Sequence, residues 1–244
     1  MVYEIPFWTL GFLGASYALP YCIPSIRLSL RQINTAIKTN TVFTSECIND
    51  IQQGQLDAID RTMGQLMSAM IQSIIITWAF LNLLTAGSID PLHNFVISYY
   101  IYDMIHLYMK PYGKTQQIFF FHHSMGIFLI VYLQYTGLQY AELMHISYIC
   151  MELSACSINI LHLLRYAYPA SKIHIVMSGV NLFLYGFLRL IVYGIALLYF
   201  TVTTDITYVY YIPTILQYIL YFASLYWFIL MTQKHKKLEQ KTIL

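Results

Sequence analysis

Two adjacent histidines, His122 and His123, sit in the run Ile118–Ile130, IFFFHHSMGIFLI, whose other residues are mostly those of a lipid-facing helix. A bilayer core offers no water, so ionisable side chains within it are rare and turn toward a protein interior. More of them flank the pair: Asp103 and His106 before it, and Glu142, His145, Glu152, Asn159 and His162 after it. An imidazole beside a second imidazole and a carboxylate can act as general base or nucleophile in acyl transfer, with the carboxylate orienting the ring. For that chemistry His122, His123 and Asp103 are the candidate catalytic groups. Tyr99, His106, Glu152 and Asn159 are the candidate substrate- or lipid-binding groups around them. Histidines also ligate metals, but membrane desaturases and hydroxylases need several HxxHH-type boxes, and only one His-His pair occurs here. Neither a metal site nor a bound cofactor is expected.

The elements that would carry these groups are membrane helices. The chain has 244 residues, of which 58% are hydrophobic and only 10% charged, and its mean hydropathy is +0.58. A soluble domain is about 25% charged, so this composition is that of a membrane protein. It excludes nucleic acid as a partner and leaves membrane lipid as the expected one. Apolar runs mark seven spans: 5–26, 67–86, 92–109, 118–135, 140–164, 173–200 and 208–231. Each approaches or exceeds the roughly 20 residues that cross the hydrocarbon. The first lacks a basic leader and is followed by Arg27 and Arg31, which reads as a retained anchor rather than a cleaved signal. Residues 28–66 form a polar cytoplasmic loop with room for an amphipathic surface helix. The domain organisation is thus a leading span (1–27), this loop (28–66), six further spans (67–233) and a basic cytoplasmic tail (234–244). The four cysteines show neither CxxC nor zinc spacing and read as packing residues.

With seven spans, all twelve basic residues outside the spans fall on one side, and the thirteenth, Arg189, is intramembrane. Removing one span destroys that asymmetry. The positive-inside rule then sets the amino terminus in the lumen and the carboxyl terminus in the cytoplasm. Counted from the flanking lysines at 1.5 Å per residue, Asp103 lies about 10 Å and His122–His123 about 12–14 Å inside the cytoplasmic face. Asn159 lies about 9 Å inside, counted from Arg165, and Glu152 about 20 Å. These groups should converge on one interior cavity, with His122 favoured as the inward histidine and His123 turned toward an adjoining helix. Arg189 should pair with Glu142 or Glu152, because an unpaired buried charge is far more costly than a paired one. Simple interhelical contact, worth about 1 kcal/mol or less per group, suffices for His145, His162, Cys150 and Cys156. Three ionisable groups at one depth (Asp103, His122 and His123) exceed what packing requires.

The order of these residues resembles the TLC-domain family, which includes ceramide synthases and smaller membrane-lipid regulators. The matching features are Tyr102-Asp103 late in one span, His122-His123 opening the next, and Glu152-Leu153-Ser154 followed by Asn159. The smaller branch reads Glu-(Leu/Ile)-Ser-Thr-Pro-Phe-x-Asn; this chain has Glu152-Leu153-Ser154-Ala155-Cys156-Ser157-Ile158-Asn159, without the Thr-Pro. Ceramide synthases carry a longer motif after the His pair, and where its His-Asp and Ser-Asp pairs would fall stand Ile149-Cys150 and Glu152-Leu153. The resemblance implies an all-α membrane protein, a TLC-type six-helix barrel plus one leading span, in the endoplasmic reticulum or a related endomembrane. It implies the smaller lipid-regulator branch rather than ceramide synthesis.

Three functions fit the sequence. The first is a lipid- or acyl-chain-binding protein of lipid homeostasis, acting on sphingolipid or phospholipid. The second is a lipid N-acyltransferase using acyl-CoA as co-substrate, with His122 or His123 as base and Asp103 orienting it. The third is a seven-span receptor, disfavoured because neither an Asp-Arg-Tyr nor an Asn-Pro-x-x-Tyr motif closes the relevant spans. Assembly into a homo-oligomer is compatible with all three.

Overall fold

The computed structural model describes residues 4–22, 58–109, 116–136, 141–167, 173–204 and 208–243. Its elements are α1 (Glu4–Cys22), α2 (Ala58–Thr85), α3 (Asp90–Met109), α4 (Gln116–Thr136), α5 (Ala141–Ala167), α6 (Ile173–Tyr185), a π-helical stretch (Gly186–Val192), α7 (Tyr193–Thr203) and α8 (Tyr208–Ile243). Among the described residues nearly all are helical and none is in a strand. Four segments are long and apolar enough to cross a membrane: Gly64–Thr85, Ala141–Leu164, Ile175–Thr203 and Tyr210–Lys236. The sequence marks α1, α3 and α4 as spans too, and each is helical over about the expected range.

Two helices outrun their apolar segments. α2 begins at Ala58, inside the stretch read as loop, and α8 continues to Ile243, through the stretch read as tail. Hydropathy reports where a helix meets lipid, not where it ends: the residues of both extensions are good enough helix formers to continue in water. At 1.5 Å per residue the 36 residues of α8 span about 54 Å, well beyond the roughly 30 Å of hydrocarbon. The expected surface helix of the long loop falls largely on residues 28–57, outside the described residues.

The sixth span shows how the interior is built. Asn181, Tyr185, Arg189, Tyr193 and Leu197 are all buried, while Val176, Phe183, Phe187, Ile191, Ile195, Leu198 and Val202 face outward. Polar inside and large apolar outside is the pattern of a helix that meets lipid on its outer face. A row at strict four-residue steps drifts about 40° per step around an α-helix. The π turns, hydrogen-bonded i→i+5, are wider and bring the row back onto one face.

α2 lies mainly along α5 and also meets α3; α3 meets α4; α4 meets α8; and α8 meets α6, which packs on α5. α1 lies against α3 and α2. There Trp8 and Phe12 each set an edge against Phe95 at 5.3 Å between ring centroids. Thr9 donates to the Ser98 carbonyl, and the Asn94 amide donates to Glu4 while accepting from Gln134, which ties α1, α3 and α4 together at one end.

Candidate functional site

Asp103 on α3 and His123 on α4 meet, with 2.8 Å between Oδ2 and Nε2. A carboxylate only accepts, so Nε2 carries a proton, and in the neutral ring the lone pair then lies on Nδ1. That Nδ1 is buried and has no hydrogen-bond partner among the described residues. The His123 ring lies 4.8 Å from that of Tyr100 and 6.4 Å from that of Tyr99. Tyr100 donates its hydroxyl to Glu152 on α5 at 3.1 Å. Gln72 on α2 donates to the Tyr99 hydroxyl at 3.1 Å and accepts from Asn159 at 3.0 Å. Gly126, one turn beyond His123, makes the arrangement possible: a methyl group at that position would stand 2.7 Å from the Tyr100 ring.

Tyr99, Asp103, His123, Glu152 and Asn159 are therefore joined in one packed network across four helices. His122 is not part of it. It is His123 that turns inward, while His122 presents its ring to Trp227 on α8 at 5.6 Å. The reversal of the expected orientation has a simple cause, since depth counts place both residues alike and neighbours on a helix differ by about 100° in direction. His106 packs one turn from the network, its ring 6.0 Å from that of Tyr102. Three of the four residues read as plain packing stand outside the network. Cys156 donates to the Ala69 carbonyl at 3.7 Å and His162 meets Gln65 at 2.6 Å, both across the α2–α5 contact. Cys150 is a buried free thiol.

Arg189 corrects a second expectation. It is buried, but among the described residues it forms no ion pair with Glu142 or Glu152. Its Nε donates to the Ser154 hydroxyl at 2.5 Å, one terminal nitrogen donates to the Met151 carbonyl at 2.8 Å, and the guanidinium lies 4.7 Å over the Tyr185 ring. A five-donor fork can be satisfied by a hydroxyl, a carbonyl and an aromatic face together. Glu152 lies one residue from Met151 and two from Ser154, the residues that hold the guanidinium.

The sequence reading missed Gln72 and Tyr100. Gln72 carried a readable signal, an amide near the middle of a membrane span, with Gln65 seven residues before it on the same face. Tyr100 carried none among so many tyrosines. Chemically, the network offers a buried imidazole held by a carboxylate, with its second nitrogen free, next to a buried carboxyl (Glu152). Among the described residues no three His, Cys, Asp or Glu side chains stand close enough to hold a metal ion.

No curated protein and no solved structure matches the chain. A family model described as the TLC domain matches residues 90–233, more than half of the chain, and takes in every residue of the network except Gln72. With that match and its membrane-crossing helices, the chain is an integral membrane protein that belongs to the TLC-domain family.

Proposed function

We propose that this protein binds a membrane lipid or acyl chain at the Asp103–His123–Glu152 network and thereby contributes to membrane lipid homeostasis. The observation that carries the reading is the buried His123 Nδ1, which has no hydrogen-bond partner among the described residues although a carboxylate holds its ring. A packed core leaves few such atoms, and each one costs about 1–3 kcal/mol unless something binds it. The reading extends to seven spans, six of them closed as a barrel with α1 outside. It is supported by the contacts α3–α4–α8–α6–α5–α2, which return to α3. The one-sided basic loops support a luminal amino terminus and a cytoplasmic carboxyl terminus. The Glu152–Asn159 motif favours the smaller lipid-regulator branch and an endomembrane such as the endoplasmic reticulum.

The test is lipidomics on cells lacking the protein and supplied with wild type, His123→Ala or His122→Ala at equal membrane abundance. His123→Ala should lose most of the effect on lipid composition and His122→Ala should keep most of it. Equal behaviour of wild type and His123→Ala would end the assignment.

A second reading, an acyl-CoA-dependent lipid N-acyltransferase, is favoured by the same lone pair. His123 Nδ1 would take the proton of a lipid amine as its nitrogen attacks the thioester carbonyl. The C–N bond forms, the C–S bond breaks, and the proton passes to the departing thiolate. Release of free thiol from acyl-CoA by purified protein with a lipid amine, abolished in His123→Ala, separates this reading from binding alone.

A further inference from the structure

The interior carries a second group of unpartnered polar atoms, at the end of the helices marked by Glu4. Among the described residues, His93 on α3 leaves both ring nitrogens without a hydrogen bond, and on α5 His145 leaves Nε2 and Tyr148 its hydroxyl. The three side chains are 4%, 3% and 3% exposed. They are neighbours: the His93 ring sets an edge against Tyr148 at 5.9 Å, and His145 lies three residues before Tyr148 on α5. His93 and His145 lie about 4.5 and 6 Å along the axis from the first residues of α3 and α5. Tyr148 is one turn from Glu152 on α5.

Four orphaned polar atoms on three adjoining, nearly inaccessible side chains need a partner, because burying such groups unbonded is costly. The partner must donate to imidazole lone pairs and accept from the phenol and the imidazole N–H at once. An acyl chain does neither. An anion leaves the lone pairs unsatisfied, and a cation leaves the donors. Water does both, and buried waters typically make two to four such bonds. We propose that His93, His145 and Tyr148 bind a cluster of ordered water, which extends the polar interior from Glu152 toward the Glu4 end. The proposal does not depend on what occupies the Asp103–His123 end.

The test is millisecond X-ray radiolytic footprinting of the full-length protein in phospholipid nanodiscs, in which radicals formed from bound water oxidise the side chains beside it. Tyr148 should be oxidised several-fold faster than Tyr185, which is as deeply buried but bonded to Arg189. His93→Phe should lower the Tyr148 rate several-fold and leave Tyr185 unchanged, whereas His93→Gln, which keeps a donor and an acceptor, should preserve it. A Tyr148 rate no higher than that of Tyr185, or one that His93→Phe leaves unchanged, would overturn the proposal. Should His93→Phe fail to fold, Tyr148→Phe decides. A water-bonded hydroxyl predicts a lower unfolding midpoint on its removal, and an equal or higher midpoint counts against the cluster.

Discussion

Replacing Gly126 by alanine tests the packing that holds the network together. The added methyl would stand 2.7 Å from Tyr100 Cε2 and 3.2 Å from Cδ2, where carbon contacts settle at about 3.5–4.0 Å. The ring must then retreat by roughly 1 Å. It has little freedom to do so, because its hydroxyl is bonded to Glu152 at 3.1 Å and its face lies 4.8 Å from His123. Overpacking of this kind costs about 1–3 kcal/mol, and losing the Tyr100–Glu152 bond adds about 1 kcal/mol. Against this, alanine is a better helix residue than glycine by about 0.5–1 kcal/mol. The net expectation is a loss of about 1–3 kcal/mol, read as a lower midpoint of unfolding in detergent micelles. Tyr100→Leu removes the obstructing ring, so in that background Gly126→Ala should be neutral or stabilising. A neutral Gly126→Ala in the wild-type background, or an equal cost in both backgrounds, would refute the reasoning.

Three further outcomes can be checked by the same kinds of measurement. Arg189→Lys should cost about 1.5–3 kcal/mol in micelle unfolding, because an ammonium cannot reach Ser154, Met151 and Tyr185 from one position. Gln72→Leu should destabilise by about 1–3 kcal/mol by leaving the Tyr99 hydroxyl and the Asn159 amide unpaired, and Asn159→Leu should recover part of that cost. Cysteines introduced into residues 28–57 and at the exposed Lys236 should be labelled from one common side of the membrane, and labelling from opposite sides would reject seven spans.

Much of the architecture was legible because lipid imposes simple rules. Apolar runs located the helices, and the depth counts put Asp103, the histidines and Asn159 in one layer before any contact was known. Rotation about each helix axis was not legible. In a soluble helix the buried face is the apolar one, but in a membrane helix the lipid-facing side is equally apolar, so hydropathy loses its sense of direction. Arg189 illustrates the loss. The sequence pairs it with Glu142 or Glu152, but which partner it meets depends on rotation, and that depends on the π turns at Gly186–Val192. The clue was present as Asn181, Tyr185, Arg189, Tyr193 at strict four-residue steps. Such a row winds around an α-helix, and a row so rich in polar residues has reason to stay on one inward face.

The same argument accounts for His122 and His123. On α4 the inward face is His123, Gly126, Ile130 and Leu133, at three- and four-residue steps, while Phe121, Phe128, Val131 and Tyr135 face outward. Both sets are equally hydrophobic apart from the histidine and the glycine, so neither charge nor apolarity distinguishes them. Size does. Membrane helices approach one another closely where a small residue stands, and Gly126 is the smallest residue of α4. His123 stands three residues before Gly126 and His122 four, so both lie near its face; Gly126 marks the inward side of α4, and the contact with Asp103 selects His123. Asp103 on α3 then reaches its Nε2, and the nitrogen left over is the one on which a bound lipid or an acyl group would act.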